Sequence, residues 1–303
     1  MPLRRSRPVP SPTDPSLLHG RILDWYTEHA RPLPWRDETC TPWGVLVSEV
    51  MAQQTPVARV APVWREWMDR WPTPADLAAE SPGEVVRAWG RLGYPRRALR
   101  LREAAVAITK EHGAVVPDDE AALRALPGIG AYTSAAVAAF AFGRRTTVVD
   151  TNVRRVLARL VEGREHAAPA LTVAETALAT SLLPHDRAGS ATWNVAVMEL
   201  GALVCRARAP ECDACPVADV CAWVVSGRPA HDGPARRGQA WHGTDRQVRG
   251  RVLQTLRDAP GPVPRDTLDA TAADAGQVDR CIASLVEDGL LEPAGDEHYR
   301  LPA

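Results

Sequence analysis

The sequence predicts an all-α fold: a long helical domain, then a small domain of three helices and a hairpin. Three observations carry that prediction. Between Ser16 and about Val225, apolar residues recur at helical spacing in one segment after another. No stretch there sustains the period-2 alternation of a half-buried strand. Prolines open several segments, where the missing N–H is not needed.

The first segment carries Leu17, Ile22, Leu23 and Tyr26 and ends at the proline-rich Arg31–Pro34. Further helices are predicted over 44–52, 56–70, 74–79, 82–89, 96–111, 119–126, 132–142, 151–160, 167–183 and 191–203. Residues 226–245 mix Gly, Pro, Arg and His without periodicity and read as a linker. Beyond them lie helical patterns over 247–257, 265–273 and 278–288, then a strand–turn–strand over 290–301 around Ala294-Gly295-Asp296. Three helices and a hairpin make the winged-helix pattern, which serves on DNA and also as a protein-interaction module. The expected organisation is therefore a flexible tail (1–15), a helical domain (16–225), a linker (226–245) and a winged-helix-like domain (246–303).

Composition narrows the function classes. The chain has 303 residues, 45% hydrophobic and 24% charged, as ordinary globular domains do. No apolar run approaches the roughly 18 residues of a membrane span. The Arg- and Pro-rich start lacks the apolar core of a secretory signal, so a cytoplasmic protein is expected, with cysteines available as metal ligands. A net charge of −1 argues against a uniformly basic nucleic-acid binder. Yet arginines crowd 87–102 and 144–159, as a local phosphate-binding face requires. Nearly every basic residue is arginine; Lys110 is the sole lysine.

Leu126-Pro127-Gly128-Ile129-Gly130 stands between two helical patterns, and Tyr132-Thr133 opens the second. Glycines at Gly128 and Gly130 permit positive φ and bring backbone N–H groups toward an anion. The following helix N-terminus adds partial positive charge suited to a phosphate. Asp150 follows an apolar run and precedes a helix, so it can cap that helix or face the electron-poor sugar of a nucleotide. Glu49 sits among Leu46, Val47, Val50 and Met51; a carboxyl buried there holds its proton nearer to neutral pH. Gln53, Gln54 and Thr55 supply donors and acceptors at the end of that helix. Cys205, Cys212, Cys215 and Cys221 form a C-x6-C-x2-C-x5-C pattern able to wrap a 4Fe–4S cluster, with zinc as the competing centre. Cys40 and Cys281 stand apart as buried or free thiols.

Together these motifs resemble the helix–hairpin–helix DNA glycosylase superfamily, over about 31–221. The resemblance implies a two-lobed, all-α fold with an iron–sulfur cluster loop. The hairpin lobe would cover about 37–146, and the cluster lobe 16–36 with 147–225. Two cluster-bearing branches share the cysteine spacing, the endonuclease III type and the adenine-excising MutY type. The first needs a catalytic lysine just after the hairpin, where this chain has Tyr132. Leu33-Pro34-Trp35-Arg36, Ser48-Glu49-Val50-Met51, Gln53-Gln54-Thr55, Leu92-Gly93-Tyr94 and Asn194 through Ala202 resemble the second.

That branch implies a monofunctional enzyme that flips adenine out of duplex DNA opposite 8-oxoguanine or guanine. Glu49 would protonate the base at N7, and Asp150, ionised, would stabilise the oxocarbenium-like sugar. Tyr132 and Asn152 would brace Asp150. Trp35, Arg36 and Glu199 would line the adenine pocket. Gln54, Thr55, Leu92 and Tyr94 would enter the duplex gap, while Gly128 and Gly130 hold a phosphate. A monomer associated with the nucleoid is expected. At the far end, 246–303 is too short for the larger C-terminal domain of that branch. Two other readings stay open: a bifunctional endonuclease III-type pyrimidine glycosylase with lyase activity, and a non-enzymatic iron–sulfur DNA-binding protein.

Overall fold

A computed structural model describes residues 14–231, 233 and 242–303. The tail expected over 1–15 falls outside them except for its last two residues, and so does the middle of the expected linker. In chain order the helices are α1 (Pro15–His29), α2 (Pro42–Ala52), α3 (Val57–Arg70), α4 (Pro74–Ala79), α5 (Pro82–Trp89), α6 (Arg96–Glu111), α7 (Glu120–Ala125) and α8 (Ala131–Phe142). After them come α9 (Thr151–Leu160), α10 (Val173–Ser181), α11 (Arg187–Leu203), α12 (Ala222–Val225), α13 (Asp245–Asp258), α14 (Arg265–Asp269) and α15 (Ala275–Glu287). Strands β1 (Val263–Pro264), β2 (Glu292–Pro293) and β3 (His298–Arg300) complete the described elements.

Local chemistry sets these boundaries. Asp14, Thr41, Ser81, Asp119 and Asp186 each accept a first-turn N–H, while Thr73 and Thr172 form capping boxes with Asp76 and Glu175. The helix expected over 167–183 is shorter than its apolar pattern, because that capping box starts α10 only at Val173. Helix α1 buries Leu18, Ile22 and Trp25; Leu17, Leu23 and Tyr26 are only partly covered. The hairpin near the C-terminus has a third partner missed in the sequence: β1 pairs with β3, giving an antiparallel sheet in the order β1-β3-β2. A two-residue strand is too short to show alternation.

The chain divides into two compact units. Met1–Pro32 with Ala131–Pro234 forms the first, whose core joins α1, α9 and α11 to Val217, Val220 and Trp223 of the cysteine-rich loop. Leu33–Gly130 with Ala235–Ala303 forms the second. Within it, α13, α14, α15 and the three-stranded sheet share a core with Val86 of α5. Among the described residues, no helix is long and apolar enough to cross a membrane.

Candidate functional site

In the first unit, the extended run before α9 is stapled to α11. Asn194 donates to the Thr146 carbonyl at 2.9 Å, and its Oδ1 accepts from the Val148 N–H at 3.2 Å. The run delivers Asp150 to the N-cap of α9, where Oδ1 accepts from the Asn152 and Val153 N–H groups at 2.8 and 2.7 Å. Capping, the plainer expectation for Asp150, is therefore part of its role. Its Oδ2 accepts a third bond, from Asn152 Nδ2 at 2.8 Å. Desolvation raises the Asp150 pKa, opposed by these three hydrogen bonds and by the charge of Arg155.

Asn152 is held in turn. Arg155 Nη2 donates to Asn152 Oδ1 at 2.6 Å and to the Gly201 carbonyl at 2.7 Å, while its Nε donates to the Cys205 carbonyl at 2.6 Å. A continuous polar path thus joins the Asp150 carboxylate to the first cysteine of the metal motif. Gly201 makes the close packing possible, since a Cβ there would lie 2.7 Å from Asn152 Cβ. Tyr132 is partly buried against Ala135, Ala136, Ala139 and Val148.

Glu199 is firmly held. Its fully buried carboxylate accepts from the Arg31 backbone N–H at 3.0 Å and from Arg31 Nε and Nη2 at 2.7 Å each. A bidentate guanidinium plus a backbone donor makes it a strut between α11 and the segment leaving α1. Expected to line the adenine pocket, Glu199 is thus also a structural hydrogen-bond acceptor.

The four motif cysteines line one pocket together with Arg159, Val204, Ala218, Trp223 and Val224. Burial pushes the Cys215 thiol up to about 12, and its neighbours Cys205, Cys221 and Cys212 push the same way. Thiols crowded together in a buried cavity ionise readily only with a cation among them. Arg159, only 2% exposed, points Nη1 at Cys205 Sγ from 3.4 Å and lies 4.8 Å from the Trp223 ring. The donor set suits a metal–sulfur centre.

In the second unit, α2 is buried on every side from Trp43 to Met51, and Glu49 is 9% exposed within it. Trp35 is half-buried and meets Trp64 edge-on, ring centroids 6.0 Å apart; Arg36 shares the same short 3-10 turn, Pro34–Arg36. Gln54 and Tyr94 are exposed at φ 54° and 47°. Thr55 and Leu92 are corrections: both side chains are buried, and Thr55 Oγ1 donates to the Leu92 carbonyl at 2.9 Å. They lock the two loops together, while Gln54 and Tyr94 beside them stay exposed.

Arg97 supplies that lock. It donates to the carbonyls of Val50, Gln53 and Gly93 at 2.8, 2.6 and 2.9 Å and to Thr55 Oγ1 at 3.0 Å. Burial lowers its pKa to about 10. Of the hairpin glycines, Gly128 alone has positive φ, 74°, and a Cβ there would strike Arg100 Cβ at 2.6 Å. Gly130, which could also take positive φ, does not. A Cβ at Gly130 would meet nothing within 4 Å, so no intramolecular contact demands glycine there.

Sequence reading missed Arg31, Arg97 and Arg155 as organising residues. The signal was the near-exclusive use of arginine, whose forked donors can bridge several carbonyls where lysine cannot.

Residues 47–177 match the HhH-GPD superfamily of base excision DNA repair proteins. Adenine DNA glycosylase of Mycobacterium tuberculosis (strain H37Rv) is 51% identical over 297 residues, covering 97% of each chain. The human adenine DNA glycosylase is 42% identical over 213 residues, 67% of this chain and 39% of the human one. Among solved structures, a thermostable thymine-DNA glycosylase aligns with TM-score 0.62 at 26% identity, over 70% of this chain and 97% of its own. An endonuclease III–DNA complex aligns with TM-score 0.61 at 21% identity, over 72% and 99%; it shares the fold.

Proposed function

Because the chain belongs to the adenine DNA glycosylases of the helix–hairpin–helix superfamily, we propose that it excises adenine mispaired with 8-oxoguanine or guanine by hydrolysis alone, without strand cleavage. It is a DNA N-glycosylase of base excision repair.

The observation that carries the proposal is the placement of two carboxyl groups, one inside a buried apolar helix and one at a helix N-cap. Glu49 lies within a helix buried from Trp43 to Met51. Asp150 accepts three hydrogen bonds, which oppose the rise in its pKa that desolvation brings. Glu49 is the proton donor to N7 of the flipped adenine, which turns the base into a neutral leaving group. Asp150 stabilises positive charge on the deoxyribose as the bond to the base breaks, and water then adds to the sugar. Asn152 orients Asp150, and Tyr132 flanks it on the first turn after the hairpin. Trp35 and Arg36 face the base. Gln54 and Tyr94 engage the gap and the opposite strand. At the hairpin, a phosphate approaches Gly130, whose missing side chain leaves open space.

Cys205, Cys212, Cys215 and Cys221 hold a 4Fe–4S cluster, which when bound supplies a covalent tie across residues 205–221. Asp150 is indirectly steadied by the same loop through Arg155.

Glu49→Gln tests the acid. The variant binds an adenine-containing mismatch as the unaltered protein does and releases base at least about a hundredfold more slowly. Unchanged excision removes Glu49 from the mechanism.

A further inference from the structure

We propose that the C-terminal segment takes part in recognising the duplex through one residue, Arg246, whose guanidinium holds the Tyr94 ring in posture against the strand opposite the excised adenine. This rests on the adenine-glycosylase reading and extends it to a positioning residue outside the helical domain.

Tyr94 carries the geometry. It is a bulky residue in the left-handed backbone region, at φ 47°, and its side chain is 43% exposed. Such a conformation persists only where the surroundings enforce it. Two guanidiniums lie against the ring, with Arg97 at 5.6 Å from the ring centroid and Arg246 at 5.0 Å. Both distances lie within cation–π range. Arg97 fixes the loop's backbone. Arg246, in the first turn of α13, is the contribution of the C-terminal segment.

Arg246 does not hang on a loose tether. Arg87 of α5 donates to the carbonyls of Arg257 and Ala259, Arg257 Nε donates to the Val86 carbonyl at 3.0 Å, and Arg96 pairs with Asp288 at 3.1 Å. Val86 sits in the C-terminal core, with Leu99 packed against it. The position of α13 relative to Tyr94 is therefore set by a shared core and several hydrogen bonds.

Charge excludes the usual alternative. Residues 242–303 hold seven arginines, no lysine and eleven acids, a net −4. In α15, the helix that a winged-helix module commonly offers to a groove, Asp279 is paired with Arg265 and the exposed Arg280 is offset by Glu287, so no basic stripe is presented. A net-acidic segment without such a stripe attracts phosphates weakly. A single cation set on an aromatic probe is a contribution that this charge balance permits, and aromatic rings are the common platform for stacking an exposed base.

The test uses the full chain at fixed salt, with duplexes carrying adenine opposite 8-oxoguanine or guanine. Duplex affinity and single-turnover excision are read separately. Arg246→Ala weakens binding about threefold, Arg246→Lys recovers most of it, and the melting temperature stays that of the unaltered protein. On a Tyr94→Ala background, Arg246→Ala adds no further loss, because the ring it holds is gone. The proposal is overturned if Arg246→Ala binds and excises normally, if its loss persists in full without Tyr94, or if it lowers the melting temperature. Should the unaltered protein excise no adenine, the proposed function falls instead, and the binding arm alone decides the role of Arg246.

Discussion

At the scale of single residues, the site is organised by arginines that hold backbone and carboxylates in place. Arg31 illustrates the energetics. Its partner Glu199 has a side chain only 1% exposed, so truncating Arg31 leaves a carboxylate buried without its bidentate guanidinium. Breaking such a pair costs about 3 kcal/mol in full burial, and somewhat less here because Arg31 itself is a third exposed. Arg31→Ala should lower the melting temperature by roughly 4–8 °C in a DNA-free thermal scan; an unchanged midpoint would show the strut to be dispensable. Asp150 gives a prediction in pH. Its pKa is raised by desolvation and restrained by donors to the charged form, among them Asn152 Nδ2. The folded state thus holds the Asp150 proton more tightly than the unfolded chain, and this carboxyl favours folding as pH falls through its raised folded pKa and disfavours it above. The proposed mechanism needs the ionised form, so activity is expected to decline on the acid side of that pKa. Removing the donor in Asn152→Ala raises the pKa further and moves the acid limb of the single-turnover rate to higher pH. An acid limb left in place would mean that another group sets it.

At the scale of elements, much was legible in the sequence. Helices α4, α5, α6 and α9 begin and end at the expected residues, because proline, serine, threonine and aspartate mark their starts without ambiguity. What could not be read is which buried polar groups pair. Nothing local to Glu199 announces Arg31, since the bond spans 168 residues. Thr55 and Leu92 were expected in the duplex gap from their place beside Gln54 and Tyr94; their burial is a tertiary fact created by Arg97. The hairpin separates two demands that sequence alone merged. Gly128 is required by φ and by Arg100, so Gly128→Ala should cost about 1–3 kcal/mol of stability. Gly130 meets no such wall. Gly130→Ala should melt within about 0.5 kcal/mol of the unaltered protein while weakening duplex binding. Equal loss of stability at both positions would contradict a phosphate-facing role for Gly130.

At the scale of the whole molecule, each unit carries a distinct share of the chemistry. The first contains Asp150, its polar path to Cys205 and the cysteine cavity; the second contains Glu49, the locked loops and the C-terminal sheet. The proposed cluster would couple its ligation to folding of the first unit, because Val217, Val220 and Trp223 in and just after the cysteine loop belong to that unit's core. The protein as purified should carry close to four irons and four sulfides. Cys215→Ser should lose them and melt several degrees lower, and stoichiometric zinc in their place would replace the cluster assignment. Net charge misled at this scale, since a total of −1 hides arginines concentrated on α6 and α9 and acids gathered in the C-terminal segment.

Excision followed on one gel tests the central claim most directly. Duplexes with adenine opposite 8-oxoguanine, guanine, cytosine and thymine are incubated with the full chain, and the adenine strand is resolved before and after alkali. Adenine is expected to be released opposite 8-oxoguanine and guanine, leaving a strand that breaks only after alkali. Breakage without alkali, or loss of a pyrimidine in place of adenine, would contradict the account.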